Sequence, residues 1–459
     1  MKNKRLKFLL IHPEISRTKY NFVGIIENEC LELEYISSVL KQRDYEVYFY
    51  DGQVEKTDVK TKIKKVKPDV VYVCGRTRQE NFMLEYCEEA KKYNDKIITI
   101  IGGLHAQLNY ERMYREYVDY ILTTFDVFQL FLMVDYSIHH TGVKLEEMEG
   151  VCYQKDGTWF KKEAKPFDIN RLPLPDRTYF DEHPDRYRYL ELEHAAWVRT
   201  AYCCPYHCKF CQRNKMNGGK YVCRDIKDVV DEIAQIKSNH IYIVDDDFLF
   251  DADRLRTFVS SIKEKKIEKK YICYGRSDFI AKNKELMKEL KEIGLYYVLV
   301  GLESIKDDNL NRYHKKSSVS NNLKTIQICN ELGIHIMGMF IIDLDYEPKD
   351  FKQLYRWIKE HDLKHVAISI FTPELGTELY DKYQHRIITD NPSHWDYLHV
   401  VAKTSKMSVK RYYFYYYVLL IKLFLKAKRE GVYDFIDYGD YIKSFIANIF
   451  KSKRSHDDE

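Results

Sequence analysis

No stretch of this 459-residue chain holds the ~20 uninterrupted apolar residues that a membrane span requires. There is no surplus of one charge either. The 74 basic and 70 acidic residues leave a formal net +4, which argues against nucleic acid as a partner. The apolar run near the start, Phe8–Ile11, is too short for a signal peptide and reads as a first strand. The eleven cysteines are odd in number and mostly scattered, which excludes a disulfide scaffold and suits a reducing, cytoplasmic setting. The length is sufficient for two or three domains with large buried cores.

What the chain does have is a compact run, Cys204, Cys208 and Cys211, spaced C-x3-C-x2-C. Chance places such a run on the order of 0.006 times in a chain with this many cysteines. A four-iron cubane takes four thiolates, so three leave one iron open to a small ligand. Zinc is the alternative, and it needs a fourth ligand, for which His207, Cys203 and Cys223 are nearby. With Pro205 after the first cysteine and Phe210 before the third, the run resembles that of radical S-adenosylmethionine (SAM) enzymes. The resemblance implies a 4Fe-4S cluster whose unique iron binds SAM, reductive cleavage to methionine and a 5′-deoxyadenosyl radical, and an external reductant such as flavodoxin or ferredoxin.

Upstream, short apolar strands alternate with helical periodicity: Lys7–His12, Leu31–Arg43, Glu46–Tyr50, Asp69–Cys74, Phe82–Tyr93 and Lys96–Ile101. This pattern predicts a doubly wound parallel sheet with ligands at the carboxyl ends of its strands. Pro13, Asp51-Gly52 and the Gly102–Ala106 segment make it similar to the cobalamin-binding domain of cobalamin-dependent radical SAM enzymes. The resemblance implies that Gly102 and Gly103 abut the nucleotide tail of cobalamin. The chain departs from that pattern in two loops. Thr123–Asp126 stands where a Gly-Glu pair is usual, and Arg76, Arg78 and Glu80 occupy a loop that is normally small and polar. The alternative is a Rossmann-like domain kept for packing or substrate binding.

After a hairpin around Asp156-Gly157 and the Leu172–Arg177 segment, six further βα units are predicted between Glu193 and Thr372. They match the partial barrel of the radical SAM fold, whose chemistry gathers at the carboxyl ends of the strands. The expected architecture is α/β: a Rossmann-like cobalamin-binding-type domain (1–145), a linker (146–190), a partial (β/α)6 TIM barrel (191–377) and a C-terminal helical extension (378–459). By resemblance, Asp245, Asp246 and Asp247 stand at the site for the SAM amino group, and Glu303 contacts its ribose or amino group. Phe210 lies near the adenine. Arg276 fits a bidentate fork to the SAM carboxylate, or else a surface salt bridge. The altered segment Asp343–Pro348 leaves contacts on the fifth strand open, and no catalytic acid or base is legible. His12, His105 and His207 read as structural.

The tail changes character. Tyr412–Ile421 is aromatic and apolar with Lys422, Lys426 and Arg429 following at helical spacing, and Tyr441–Phe450 carries a second apolar stripe. Such helices cap the barrel, or make a peripheral membrane contact or hold a large apolar substrate. Hopanoid methylases and the oxygen-independent cyclase of chlorophyll synthesis share the two-domain layout and act on large apolar molecules. The function this implies is cobalamin-dependent methylation of an unactivated carbon. The alternatives are radical cyclisation, rearrangement or carbon–carbon coupling without methyl transfer, and a non-catalytic Fe–S redox or sensor protein.

Overall fold

A computed structural model describes residues 5–15, 26–432 and 434–435. The stripe at 441–450 lies outside the described residues.

The first sheet contains β1 (Lys7–His12), β2 (Glu46–Asp51), β3 (Val70–Cys74), β4 (Ile98–Gly102), β5 (Tyr120–Leu122), β6 (Val151–Lys155) and β7 (Thr158–Lys161), in the order β2-β1-β3-β4-β5-β6-β7. The first five are parallel; β6 and β7 form the antiparallel hairpin turning at Asp156-Gly157. Helices α1 (Leu31–Lys41), α2 (Val59–Val66) and α3 (Glu80–Tyr93) cover both faces, so a strand such as β3 (Val-Val-Tyr-Val-Cys) is buried on both sides and shows no polar alternation. Strand order reverses between β1 and β3, which opens a crevice above their carboxyl ends.

The second sheet runs in chain order through β8 (Ala196–Val198), β9 (His240–Ile243), β10 (Lys270–Gly275), β11 (Leu295–Glu303), β12 (His335–Ile342) and β13 (His365–Ile370), all parallel. Helices α4 (Ile226–Gln235), α5 (Ala252–Glu264), α6 (Lys284–Glu292), α7 (Val319–Leu332) and α8 (Pro348–Glu360) pack outside. On β12 burial alternates strictly: Ile336, Phe340 and Ile342 enter the core under the helices, while Met337 and Met339 face the interior of the partial barrel. The α/β architecture is therefore the expected one.

The last described helix, α9 (Val409–Arg429), lies against α8 and β13. Its inner face buries Tyr412, Tyr416, Leu419 and Leu423, and the two tyrosine hydroxyls donate to the carbonyls of Asp343 (3.1 Å) and Ile368 (3.1 Å). Aromatic residues were used here because a tyrosine fills a core site and still reaches an unpaired strand-end carbonyl.

Among the contacts that hold the halves together, two start from the linker. Arg177, in the linker, donates to Glu29 (2.9 Å) from the first domain, and to Glu232 (2.8 Å) and the Trp197 carbonyl (2.6 Å) from the barrel; Glu34 lies 3.5 Å away. Asp176 accepts from Ser37 and Lys41 on α1.

Candidate active site

The carboxyl ends of both sheets face one another across a cavity of about 730 Å³. Cys204, Cys208, Cys211, Phe210, Asp245, Asp246, Asp247, Arg276 and Glu303 all line it. Nine residues spread over a hundred positions of sequence thus meet in one place. Gly102 and Gly103 do not join them.

The cysteine loop follows a two-residue strand (Ala201–Tyr202) that continues from β8. Asp245, at the end of β9, accepts from the backbone N–H groups of Thr200 (2.7 Å) and Ala201 (3.0 Å) and from the Thr200 hydroxyl. It is a buried clamp at the root of the loop. Further along, the Lys209 N–H donates to the Tyr313 carbonyl (3.0 Å), and the Leu379 N–H donates to the Lys209 carbonyl (3.3 Å). Burial raises the Cys204 thiol and pushes Cys211 up to about 12. Arg276 Nη1 sits 3.8 Å from Cys208 Sγ. The neighbouring Cys203 has a backbone φ of +68° and a buried thiol directed at the Cys204 carbonyl, outside the cavity lining. His207 is exposed and also outside it. Among the described residues no three histidine, cysteine or carboxylate side chains converge tightly enough for a single metal ion. All three thiols line the cavity, on a loop strapped at both ends.

The three aspartates have three different environments. Asp245 is the clamp. Asp246 faces Arg213 at 3.5 Å. Asp247 is 3 % exposed, and neither of its carboxylate oxygens has a hydrogen-bond partner among the described residues. Burial pushes its carboxyl up to about 8, against the pull of Arg276 and Lys315. A buried acceptor without a donor is costly, and this one borders the cavity beside the cysteine loop. It fits an ammonium group such as that of SAM.

Arg276 is buried rather than superficial. Its Nε donates to Asp278 (2.9 Å), its Nη2 to the Lys315 carbonyl, and its plane lies over Tyr206 (3.6 Å). Glu303, with φ +59°, pairs with Lys315 Nζ at 2.8 Å. That pair folds over Gly301, where a Cβ would lie 2.2 Å from the Glu303 carboxylate and 2.7 Å from Lys315 Nζ. Phe210 meets Tyr313 edge-on, and Phe371 and Thr372 from the end of β13 also line the cavity. On the altered segment, Asp343 pairs with Arg312 and Asp345 with Arg386, so its carboxylates are structural.

Sequence reasoning missed Lys315, Arg213, Glu374 and Tyr397, which line the same cavity. Within His-Lys-Lys-Ser, Lys315 has the appearance of one member of a solvated charge run; its burial becomes visible only in the fold.

In the first domain, the loops after β1, β2 and β3 reach the cavity through Glu14, Gln53, Arg76 and Arg78. Glu80 does not. It is buried in an ion-paired cluster with His105 (2.6 Å) and Arg112 (2.7 Å), which also accounts for His105. His12 is likewise held, by Asp51 at 3.3 Å. A Cβ on Gly102 would strike the Tyr72 ring, and Gly103 (φ +91°) lies against Cys74 and Gly75. The cleft at Gly103 holds about 30 Å³, enclosed by Tyr72, Leu122, Phe125 and Tyr202. Phe125 stacks on Tyr202 at 3.7 Å. The cavity above the strand ends is some 730 Å³, whereas the cleft below Gly103 has room for about one water.

A sheet crevice facing the mouth of a partial barrel, with three thiols and an orphan carboxylate between them, defines an iron–sulfur enzyme that works on a ligand held between two α/β units. Residues 198–358 match the radical SAM superfamily model and residues 29–126 the B12-binding domain model. The chain thus carries a radical SAM domain in its barrel and a B12-binding domain ahead of it. Hopanoid C-3 methylase of Methylococcus capsulatus is 27 % identical over 422 residues, covering 87 % of this chain and 76 % of that protein. Among solved structures, the radical SAM methyltransferase TsrM from Kitasatospora setae, with cobalamin and a 4Fe-4S cluster bound, superposes with a TM-score of 0.68 at 14 % identity, over 95 % of this chain and 90 % of that one. The cobalamin-dependent enzyme OxsB, with aqua-cobalamin and SAM bound, gives 0.70 at 16 % identity over 87 % of this chain. This chain spans 64 % of the length of OxsB.

Proposed function

We propose that this enzyme is a cobalamin-dependent methyltransferase acting on an unactivated carbon of a substrate held in the interdomain cavity. The orphaned, buried carboxylate of Asp247 beside Cys204, Cys208 and Cys211 carries the reading. It supplies the acceptor that the SAM ammonium needs, next to the thiols that would hold the cluster.

When bound, the 4Fe-4S cluster and SAM supply a 5′-deoxyadenosyl radical, and cobalamin supplies a transferable methyl group. The chain's own residues bind and orient. Cys204, Cys208 and Cys211 hold the cluster. Asp247 accepts from the ammonium, and Phe210 with the end of β13 flanks the adenine. Glu303, kept in place by Lys315, faces the ribose. Arg276 is spent on Asp278 and the Lys315 carbonyl, and keeps one amino edge toward Cys208. The loops after β1, β2 and β3 would hold the corrin. Gly102 packs against Tyr72 and Gly103 against Cys74 and Gly75, beside a narrow cleft that Tyr72 and Phe125 line.

Anaerobic reconstitution with iron, sulfide, dithionite and SAM tests the reading. 5′-Deoxyadenosine should form in the wild type and not in the triple Cys204→Ala, Cys208→Ala, Cys211→Ala variant. Its absence from the wild type overturns the enzyme reading. A corrin absorption band retained through gel filtration after incubation with hydroxocobalamin separates methylation from radical cyclisation or coupling; no band counts against methylation.

The outer face of α9 exposes Phe414, Ile421 and Leu425 beside Lys422 and Arg429. That face supports a peripheral lipid contact or an apolar substrate, although no described helix is long and apolar enough to cross a membrane. Flotation with anionic vesicles tests it.

A further inference from the structure

Six cationic side chains line the cavity, and four have carboxylate partners: Arg199 with Glu32 (3.5 Å), Arg213 with Asp246 (3.5 Å), Arg276 with Asp278 (2.9 Å) and Lys315 with Glu303 (2.8 Å). The remaining two, Arg76 and Arg78, are separated by a single residue on the loop after β3. Their guanidinium groups make no hydrogen bond or ion pair among the described residues. We propose that Arg76 and Arg78 form an anion-binding subsite that takes a phosphate or carboxylate group of a ligand in this cavity.

Three observations support the assignment. The loop is rigid: Gln79, 2 % exposed, donates to the Pro13 carbonyl (2.5 Å) and accepts from the Arg76 N–H (2.9 Å), while the Thr77 hydroxyl is 3.2 Å from His105 Nδ1. The arginines are therefore presented on a fixed turn. Second, nearby carboxyls are occupied elsewhere. Asp396 accepts from the N–H groups of Leu398 (2.9 Å) and His399 (3.0 Å) and contacts the His399 ring (2.9 Å); Glu80 serves His105 and Arg112; burial raises the Glu14 carboxyl above the ordinary carboxylate range. Third, burial and the neighbouring Arg76 hold the Arg78 guanidinium below its ordinary range, against the weaker pull of Asp396. The cavity is polarised, with an orphan carboxylate at the barrel end and two orphan guanidiniums at the crevice end. Guanidiniums take phosphate and carboxylate through paired N–H donors.

The anion has two sources: the phosphate of the cobalamin nucleotide arm, or an acidic substituent of the substrate. The inference takes from the proposed function only that this cavity is the reaction chamber. It is tested without SAM or reductant, so the two ideas fail separately. Inorganic pyrophosphate is titrated calorimetrically into the full-length, cluster-reconstituted protein. The wild type should bind it with an affinity that falls as salt rises, and Arg76→Gln/Arg78→Gln should weaken binding by at least about tenfold, while Arg76→Lys/Arg78→Lys retains most of it. Melting temperature and iron–sulfur absorbance report whether each variant is folded. No binding by the wild type, or equal binding by the folded Gln variant, overturns the subsite. Titrations repeated with cobalamin, and with cobinamide (which lacks the phosphate and base), identify the source. Competition by cobalamin alone assigns the cofactor phosphate, and binding undiminished by either assigns the substrate.

Discussion

Asp245, Asp246 and Asp247 are adjacent and chemically identical, yet the fold makes one a clamp, one an ion-pair partner and one an orphan. Their motif was legible in the sequence, but the division of labour was not, because it depends on which backbone donors and cations arrive from residues 199–201 and 213. A pH dependence follows. The carboxyl of Asp247 keeps its proton up to about pH 8 in the empty site, and an ammonium ligand favours the ionised form. Binding therefore expels a proton, and SAM affinity should rise with pH from the ordinary carboxylate range to about 8 and then level off. Calorimetry in two buffers of different ionisation heat should show the release. Asp247→Asn should remove both the release and the slope. Gly301→Ala places a methyl group against Glu303 and Lys315, and should lower SAM affinity with little change in cluster content. The three candidate cysteines stand out by spacing alone, since the spacing is set by the loop and not by distant contacts, and all three line the cavity.

Among the elements, strands and helices of the two α/β units were readable because buried parallel strands are short apolar runs bounded by polar turns. Helices α2, α5 and α8 were not assigned in advance. In α2 the sequence Val-Lys-Thr-Lys-Ile-Lys-Lys-Val buries only Val59, Ile63 and Val66. In α5 and α8 the charged faces dominate composition, and caps rather than hydrophobicity mark their starts. Asp251 caps α5 by accepting from the Asp253 (2.9 Å) and Arg254 (3.1 Å) N–H groups. Asp251→Ala should cost about 1 kcal/mol, measured by thermal unfolding. The aromatic run in α9 was ambiguous between cap and lipid contact; its inner tyrosines answer to strand carbonyls. Tyr416→Phe, which strands the Ile368 carbonyl, should cost roughly 1 kcal/mol.

For the molecule as a whole, the cavity exists only because the two sheets are held mouth to mouth, and Arg177 is the principal tie. Its charge is balanced by buried carboxyls that desolvation raises, Glu29 to about 7. Removing one member of such a network leaves the others buried and uncompensated. Arg177→Gln should therefore destabilise by about 3–5 kcal/mol, seen as a lower melting temperature together with new proteolytic cleavage in the 146–190 region. The sequence by itself determined the enzyme class, because a three-thiolate run and the βα periodicities are local patterns that any compatible fold must respect. It also determined the order of the two units. Only the tertiary structure decided which aspartate stays unpaired among the described residues, that Arg276 is committed beside Cys208, that the cleft at Gly103 is narrowed by Tyr72 and Phe125, and that Arg76 and Arg78 line the cavity without an ion pair among the described residues. Those outcomes depend on which side chains from distant segments reach the same point, and pairing and burial are set by that convergence.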